Sequence, residues 1–388
     1  MMYRIAVIGL GKAGLPIASI IADNEFKVSG IDIDENRCSL INEGMNPIKD
    51  EIGLDELIKK HGGKNLIATS EYENAKNCNF FIVIVPLFID ENHIPDFSIL
   101  EDAFRNIGRI LKKDDCIVLE TTVPPLTTEA IVKQWLEDES GLKFGDFHLA
   151  YSPERIMTGC SISRLKEFPK VIGGVDKRSG EVAFDVYKKF IPNLQLVSSS
   201  KIAEFIKVIE GCYRDVNIAL ANELFKISDE LDIDFYEARK YANHQYCNIH
   251  LPSTGVGGHC IPFYPWFLIN EIEQRLKYDY CTLLRTSRQV NDQMVNYWTD
   301  KIIQACLKID KPLGNIKICI SGITYREGIK ELINSMNIVL VKLLMKKGLD
   351  IYVHDKLFSR EEIEKIGLRF IEPENADIVF DSFKLTME

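Results

Sequence analysis

The chain has no surplus of positive charge: 47 Lys and Arg face 57 Asp and Glu, a formal net charge of −10. Non-specific nucleic-acid binding needs basic side chains to neutralise phosphates, so that class is excluded. A few local cations and helix N-termini can still hold an anionic small molecule. No apolar run is long enough to span a bilayer, which argues against a membrane protein. The opening MMYRIAVIGLGKAG lacks the apolar stretch and small-residue cleavage site of a signal peptide, so a cytoplasmic protein is expected. The 10 cysteines follow no repeating spacing and read as reduced thiols, each by default a small buried hydrophobe. Cys247, His250, His259 and Cys260 match no zinc spacing, and an adjacent His and Cys cannot readily share one ion, so no metal site is expected.

With 46% hydrophobic and 27% charged residues the composition is that of a globular protein, and 388 residues predict two or three domains. The most unusual stretch is Thr254-Gly-Val-Gly-Gly-His-Cys-Ile-Pro, ending at Pro262. Three glycines beside one cysteine describe a backbone pressed close to a ligand and presenting a thiol to it, so Cys260 is a candidate covalent nucleophile.

At the front, Tyr3 to Ile8 reads as a strand, Gly9-Leu-Gly-Lys-Ala-Gly as a tight turn and Leu15 to Asn24 as a helix. Strand, turn and helix together lift the Gly9, Gly11, Gly14 spacing above coincidence and predict a dinucleotide site. A second strand ends near Asp32, 18 residues past Gly14. An acid there accepts from both adenosine ribose hydroxyls and repels a 2′-phosphate, which favours NAD over NADP. Arg37, five residues on, is compatible with NAD if it stacks beside adenine. Strand and helix patterns then alternate through Leu136, predicting a parallel doubly wound sheet whose ligand crevice is lined by Val85, Pro86 and Thr121 to Pro125. Thr122 is a candidate cofactor contact, or alternatively a helix cap. From Lys201 to about Leu231 the apolar spacing predicts one long helix, with Ser199 or Ser200 as its N-cap. Lys207 and Arg214, two turns apart, share a face. More helices follow, then Pro312-Leu-Gly as a linker and a short third α/β segment. The expected division is a Rossmann-like domain over 1–198, a central helical domain over 199–311 and a shortened C-terminal α/β domain over 315–388.

In this order the pieces resemble the UDP-glucose/GDP-mannose dehydrogenase family. The carriers are the glycine turn, Asp32, Thr121 to Pro125, Tyr151-Ser-Pro-Glu-Arg, Ala203-Glu-Phe-Ile-Lys, Arg214-Asp-Val-Asn-Ile-Ala-Leu-Ala-Asn-Glu-Leu and Gly255-Val-Gly-Gly-His-Cys-Ile-Pro. Pro-Glu-Arg after the serine and His before the cysteine are similar to the branch that oxidises UDP-N-acetylhexosamines such as UDP-N-acetylmannosamine; the alternative is UDP-glucose. The resemblance implies a four-electron oxidation of the C6 alcohol with NAD. Cys260 is the nucleophile, Lys207 the cation at the reacting oxygen and Glu154 the group that moves a proton or orders water. It further implies Arg155, Arg214, His244, Gly257, Tyr264 and Tyr325 as substrate-binding positions. Pro86 and Arg326 join Gly9, Gly11, Gly14, Asp32, Arg37 and Thr122 at the cofactor, and pairing through the long helix makes a homodimer.

Several positions depart from the family pattern. Gly211 stands where Asn is usual, Tyr264 where Asp is usual, Leu87 for a threonine, Leu126 for a glycine and Ile333 for an arginine. These leave open a homologue that binds a nucleotide sugar without oxidising it. A simple β-hydroxyacid dehydrogenase, with a lysine on the long helix but no cysteine, is the other alternative.

Overall fold

Alternate side chains of the first apolar runs enter two different cores. In the computed structural model, which describes residues 3–48, 51–155 and 159–388, ten strands precede the long helix. They are β1 (Ile5–Ile8), β2 (Val28–Ile31), β3 (Leu66–Thr69), β4 (Phe80–Val83), the small hairpin β5 (Phe88–Ile89) and β6 (Pro95–Asp96), β7 (Cys116–Leu119), β8 (His148–Tyr151), β9 (Lys170–Gly174) and β10 (Leu194–Val197). Ile5, Val7, Phe80, Ile82, Cys116 and Val118 point to one face of the sheet. Ala6, Ile8, Phe81, Val83, Ile117 and Leu119 point to the other. The two-residue period of a strand buried on both faces requires this division. Helices α1 (Gly14–Asp23), α2 (Glu35–Asn42), α3 (Leu54–His61), α4 (Ser98–Ile110), α5 (Lys133–Ser140), α6 (Ser161–Glu167) and α7 (Lys177–Tyr187) connect the strands. The helical pattern that runs through Leu136 begins as a wide π-helical turn, Thr128–Val132, and continues as α5.

Strand order is β10-β9-β8-β7-β4-β1-β2-β3. Because the chain moves outward from β1 to β3 and then returns to β4 on the other side of β1, the order reverses between β1 and β4. A ligand crevice opens beyond the carboxyl ends of such a pair. The sheet is doubly wound as expected, but β9 pairs antiparallel with β8, Ala150 opposite Gly174, and β10 follows β9.

The chain divides into two compact units, Met1–Val208 and Ile209–Glu388, with the boundary inside helix α8 (Ser200–Glu230). Ser199 caps that helix, its Oγ accepting the Ile202 N–H at 3.4 Å. The second unit continues with α9 (Phe235–Ala242), α10 (Tyr264–Leu276) and α11 (Thr282–Cys306). It ends in a four-stranded sheet, β12-β11-β13-β14, of β11 (Lys317–Ser321), β12 (Asp350–His354), β13 (Ile378–Asp381) and β14 (Thr386–Met387), with α12 (Met336–Lys346) and α13 (Arg360–Lys365). Met294, Trp298 and Ile302 of α11 share one apolar core with Ile318 and Ile320 of β11. Among the described residues no helix is long and apolar enough to cross a membrane.

Candidate active site

In the first unit the glycine turn forms a cradle that side chains would fill. Gly9 has φ +90°, and a Cβ there would sit 2.2 Å from Ile84 O; one on Gly14 would sit 1.8 Å from Gly9 O. Only glycine allows α1 to start this close to β1. Gly11, by contrast, faces open space, with nothing within 4 Å of a built Cβ. Asp32, 7% exposed, is fixed at the rim. Its Oδ2 accepts the Leu10 N–H at 2.7 Å, and Oδ1 accepts Arg37 Nη1 at 2.8 Å and the Asp34 N–H at 2.9 Å. A carboxylate offers about four acceptor positions, so these three bonds leave one on Oδ2. Arg37 is paired with this carboxylate. Thr121 Oγ1 donates to Val85 O at 2.7 Å, tying together the ends of the strands beside the crevice, where Pro86 and Thr122 also lie. The cradle fits a dinucleotide: an open glycine for the pyrophosphate, a helix N-terminus and a seated acid.

The same unit brings Glu154 and Lys207 together. Lys207 Nζ donates to Glu154 O at 2.5 Å. The Glu154 Oε1 atom is buried without a hydrogen-bond partner among the described residues. Burial raises the Glu154 carboxyl above its ordinary value, opposed by the charges of Lys207 and Lys170 and reinforced by that of Glu120. A carboxyl with one oxygen sealed from solvent, beside an ammonium that keeps further donors, is suited to proton transfer and to holding an oxyanion. Arg155 is turned toward Pro169 O, to which its Nη1 donates.

The second unit carries the thiol. Among the described residues Cys260 is the exposed cysteine; Cys38, Cys78, Cys116, Cys212, Cys306 and Cys319 are buried. Burial pushes the Cys212 and Cys319 thiols up to about 12, which keeps them protonated and inert. The glycines before Cys260 are packed, not loose. A Cβ on Gly257 would meet Asn334 O at 2.5 Å, and one on Gly258, φ +89°, would meet the Tyr325 ring at 2.9 Å. Asn334 Nδ2 donates to Gly258 O at 3.2 Å, and Thr254 Oγ1 donates to Asn337 Oδ1 at 2.5 Å. After the cysteine, the N–H groups of Phe263 and Tyr264 donate to Cys260 O at 3.0 and 3.1 Å as α10 begins. Burial raises the Tyr325 phenol, opposed by the Arg326 and Arg214 guanidiniums and reinforced by the Glu331 charge.

Gly211 and Tyr264 meet directly. A Cβ on Gly211 would lie 2.2 Å from Tyr264 Cδ2, and the ring, 8% exposed, also stacks on Phe267. The glycine leaves room for the tyrosine. Arg214 is exposed, and its charge helps to lower the His250 imidazole below its usual value, behind burial as the main cause. His244 lies in an exposed turn where its Nδ1 accepts the Tyr246 N–H at 3.1 Å. Arg326, expected at the cofactor, belongs to the unit of Ile209–Glu388.

Among the described residues, buried polar groups also stand where the sequence reading assigned no role. Asp215 on α8 pairs with Arg288 at 2.6 Å and accepts from Asn291 Nδ2 at 2.8 Å. Asn222 then donates to Asn291 Oδ1 and receives the Ser253 N–H, fastening the start of the glycine loop to α8 and α11. The seven-residue step from Asp215 to Asn222, within a motif already singled out, was the available signal. Glu120, Lys170 and Tyr187 form another such group in the first unit.

Two family models match the chain: the NAD binding domain of the UDP-glucose/GDP-mannose dehydrogenase family over residues 3–191 and the central domain of that family over residues 201–293. A UDP-N-acetyl-D-mannosamine dehydrogenase of Methanocaldococcus jannaschii is 35% identical over 97% of this chain and 84% of its own length. An NDP-N-acetyl-D-galactosaminuronic acid dehydrogenase of Ralstonia nicotianae is 34% identical over 89% of this chain and 81% of its own. Among solved structures, a UDP-D-ManNAc dehydrogenase from Pyrococcus horikoshii superposes with a TM-score of 0.85 at 31% identity, covering 93% of this chain and 87% of that one.

Proposed function

The chain belongs to the UDP-glucose/GDP-mannose dehydrogenase family, and from that premise we propose that it oxidises the C6 alcohol of a UDP-N-acetylhexosamine to the uronic acid. UDP-N-acetyl-D-mannosamine is the first candidate, because relatives that align along most of the chain carry that name. NAD, which Gly9, Gly11, Gly14 and Asp32 would hold, would supply the oxidant, with one NAD taking a hydride in each of two successive two-electron steps.

The Lys207–Glu154 arrangement carries this reading. Lys207 spends one N–H on Glu154 O, and an ammonium has three. The remaining donors stabilise negative charge on the C6 oxygen as its proton leaves. Glu154, whose buried Oε1 has no partner among the described residues, accepts that proton or orders the later water. The Cys260 S–H adds across the C6 aldehyde, sulfur to carbon and proton to oxygen, to give a thiohemiacetal. Its oxidation leaves a thioester, and water breaks the C–S bond to release the uronate and regenerate the thiol.

The test is NAD reduction with UDP-N-acetylmannosamine, UDP-N-acetylglucosamine, UDP-N-acetylgalactosamine and UDP-glucose in parallel. The N-acetylated sugars are expected to be turned over and UDP-glucose poorly. UDP-sugar binding with no NADH from any of them contradicts the oxidative reading and marks a binding protein.

A further inference from the structure

A glutamate, a lysine and a tyrosine meet in the interior of the first unit, directly beneath the turn that bears Glu154. Glu120 follows the last residue of β7, Lys170 opens β9 and Tyr187 ends α7. Their residues are 0%, 4% and 0% exposed. Lys170 Nζ lies 2.9 Å from Glu120 Oε2, and Tyr187 OH donates to Glu120 Oε1. Lys170 Nζ also stands 5.5 Å from the centre of the Tyr187 ring. Burying such charges costs several kcal/mol per ion, and a hydrophobic replacement of equal volume is often no less stable. Stability alone therefore gives no reason for the cluster to exist.

Its contacts supply one. As the chain leaves β8 at Tyr151, Pro153 has no N–H to donate, and lysine side chains take up its carbonyl and that of Glu154. Lys170 Nζ donates to Pro153 O at 3.2 Å, and Lys207 Nζ donates to Glu154 O at 2.5 Å. The Glu154 N–H meanwhile donates to Glu120 O at 3.3 Å. Two consecutive carbonyls are thus each held by an ammonium, one from below in β9 and one from α8.

We propose that Glu120, Lys170 and Tyr187 are positioning residues that lock the Pro153–Glu154 turn and, through Glu154 O, set where the Lys207 ammonium stands. None of the three needs to touch substrate. The inference rests on the reading of Glu154 and Lys207 as the groups that handle the proton and the oxyanion. The charged and titratable groups around the Glu154 carboxyl are Lys207 from α8, Lys170 from β9, Glu120 beyond β7 and the Tyr151 phenol of β8. The cluster therefore places charges of both signs next to that carboxyl.

Two measurements on the full chain test this. In the first, Glu154 is titrated by carbon NMR on protein labelled at the glutamate δ-carbons, its resonance identified by its loss in Glu154→Gln. In the second, kcat for NAD reduction is followed against pH. Lys170→Met removes a cation and leaves the Glu120 anion unpaired, so both midpoints move to higher pH; Glu120→Gln removes an anion and moves both to lower pH. Lys170→Arg keeps the charge and the donors and stays near wild type. Lys170→Met also lowers kcat on the order of 100-fold, the cost of a misplaced catalytic group, with KM little changed. Midpoints that do not move, or that move the same way in both variants, overturn the proposal. Glu120→Gln is nearly isosteric and carries the sign test alone if Lys170→Met does not fold. Opposite NMR shifts without turnover of any UDP-sugar leave the positioning cluster standing and refute the proposed function. Turnover with an unmoved Glu154 refutes the cluster alone.

Discussion

Residue 211 has no side chain, and the space a Cβ would take is filled by the ring of Tyr264, 2.2 Å away. The two departures from the family pattern at these positions are therefore one coupled change. Tyr264 also donates its N–H to Cys260 O, so displacing the ring pulls on the turn that presents the thiol. Gly211→Asn is predicted to destabilise the protein by about 1–3 kcal/mol through overpacking and to lower kcat. Adding Tyr264→Asp should recover much of both losses. Urea unfolding and steady-state kinetics on the two single variants and the double variant check this; strictly additive effects would show that the residues are not coupled. The sequence displayed both substitutions but not their contact, because a glycine on one helix and a tyrosine at the start of another have no shared periodicity. Leu126 is a parallel case. The sequence marks it as a leucine where glycine is usual, and the structure gives it φ +81°. Left-handed backbone costs an L-residue roughly 1–2 kcal/mol, so Leu126→Gly should be more stable than Leu126→Ala by about that amount, the reverse of the ordinary order. Thermal melts of the two variants decide it, and an alanine variant as stable as the glycine one would contradict the strain.

At the scale of elements, the Leu126 turn is held by α8. Glu204 accepts the Leu126 N–H at 2.6 Å, and the Thr128 N–H and Oγ1–H at 2.8 and 2.6 Å. Burial raises the Glu204 carboxyl to about 7, although these hydrogen bonds act to lower it. The folded state therefore holds its proton to higher pH than the unfolded chain. As pH rises from the ordinary glutamate range toward 7, the unfolded state releases the proton first and stability falls. Glu204→Gln, which stays neutral, should flatten that decline in a series of urea melts against pH, and an unchanged slope would contradict it. The elements themselves were largely legible: the strand–turn–helix at Gly9, the Ser199 cap and the long α8 all follow from local pattern. The reversed β9 was not, since strand direction depends on how the chain crosses from β8. Nor was the Glu120–Lys170 pair, because Lys and Glu read as surface residues. The available hint was their place inside the apolar runs Cys116-Ile-Val-Leu-Glu and Lys170-Val-Ile-Gly-Gly.

At the scale of the molecule, the stretch read as a linker at Pro312 lies between α11 and β11, two elements that share one apolar core. Composition marks a turn there, but cannot tell a hinge from a bend within one packed unit. The dimer expectation gains a specific surface. Ile209, Tyr213, Leu220 and Ile227 of α8 are 39–55% exposed, and their spacing places them on one stripe of the helix. We propose that a second copy covers it, so light scattering should find a dimer that Leu220→Glu converts to monomer; a monomeric wild type contradicts this. The covalent, four-electron reaction is tested most directly by counting NADH per uronate during turnover of UDP-N-acetylmannosamine, for the wild type and for Cys260→Ser. Two NADH per uronate in the wild type, and loss of uronate with retained UDP-sugar binding in the variant, are the predicted results. One NADH per sugar, or undiminished uronate from Cys260→Ser, would contradict the account.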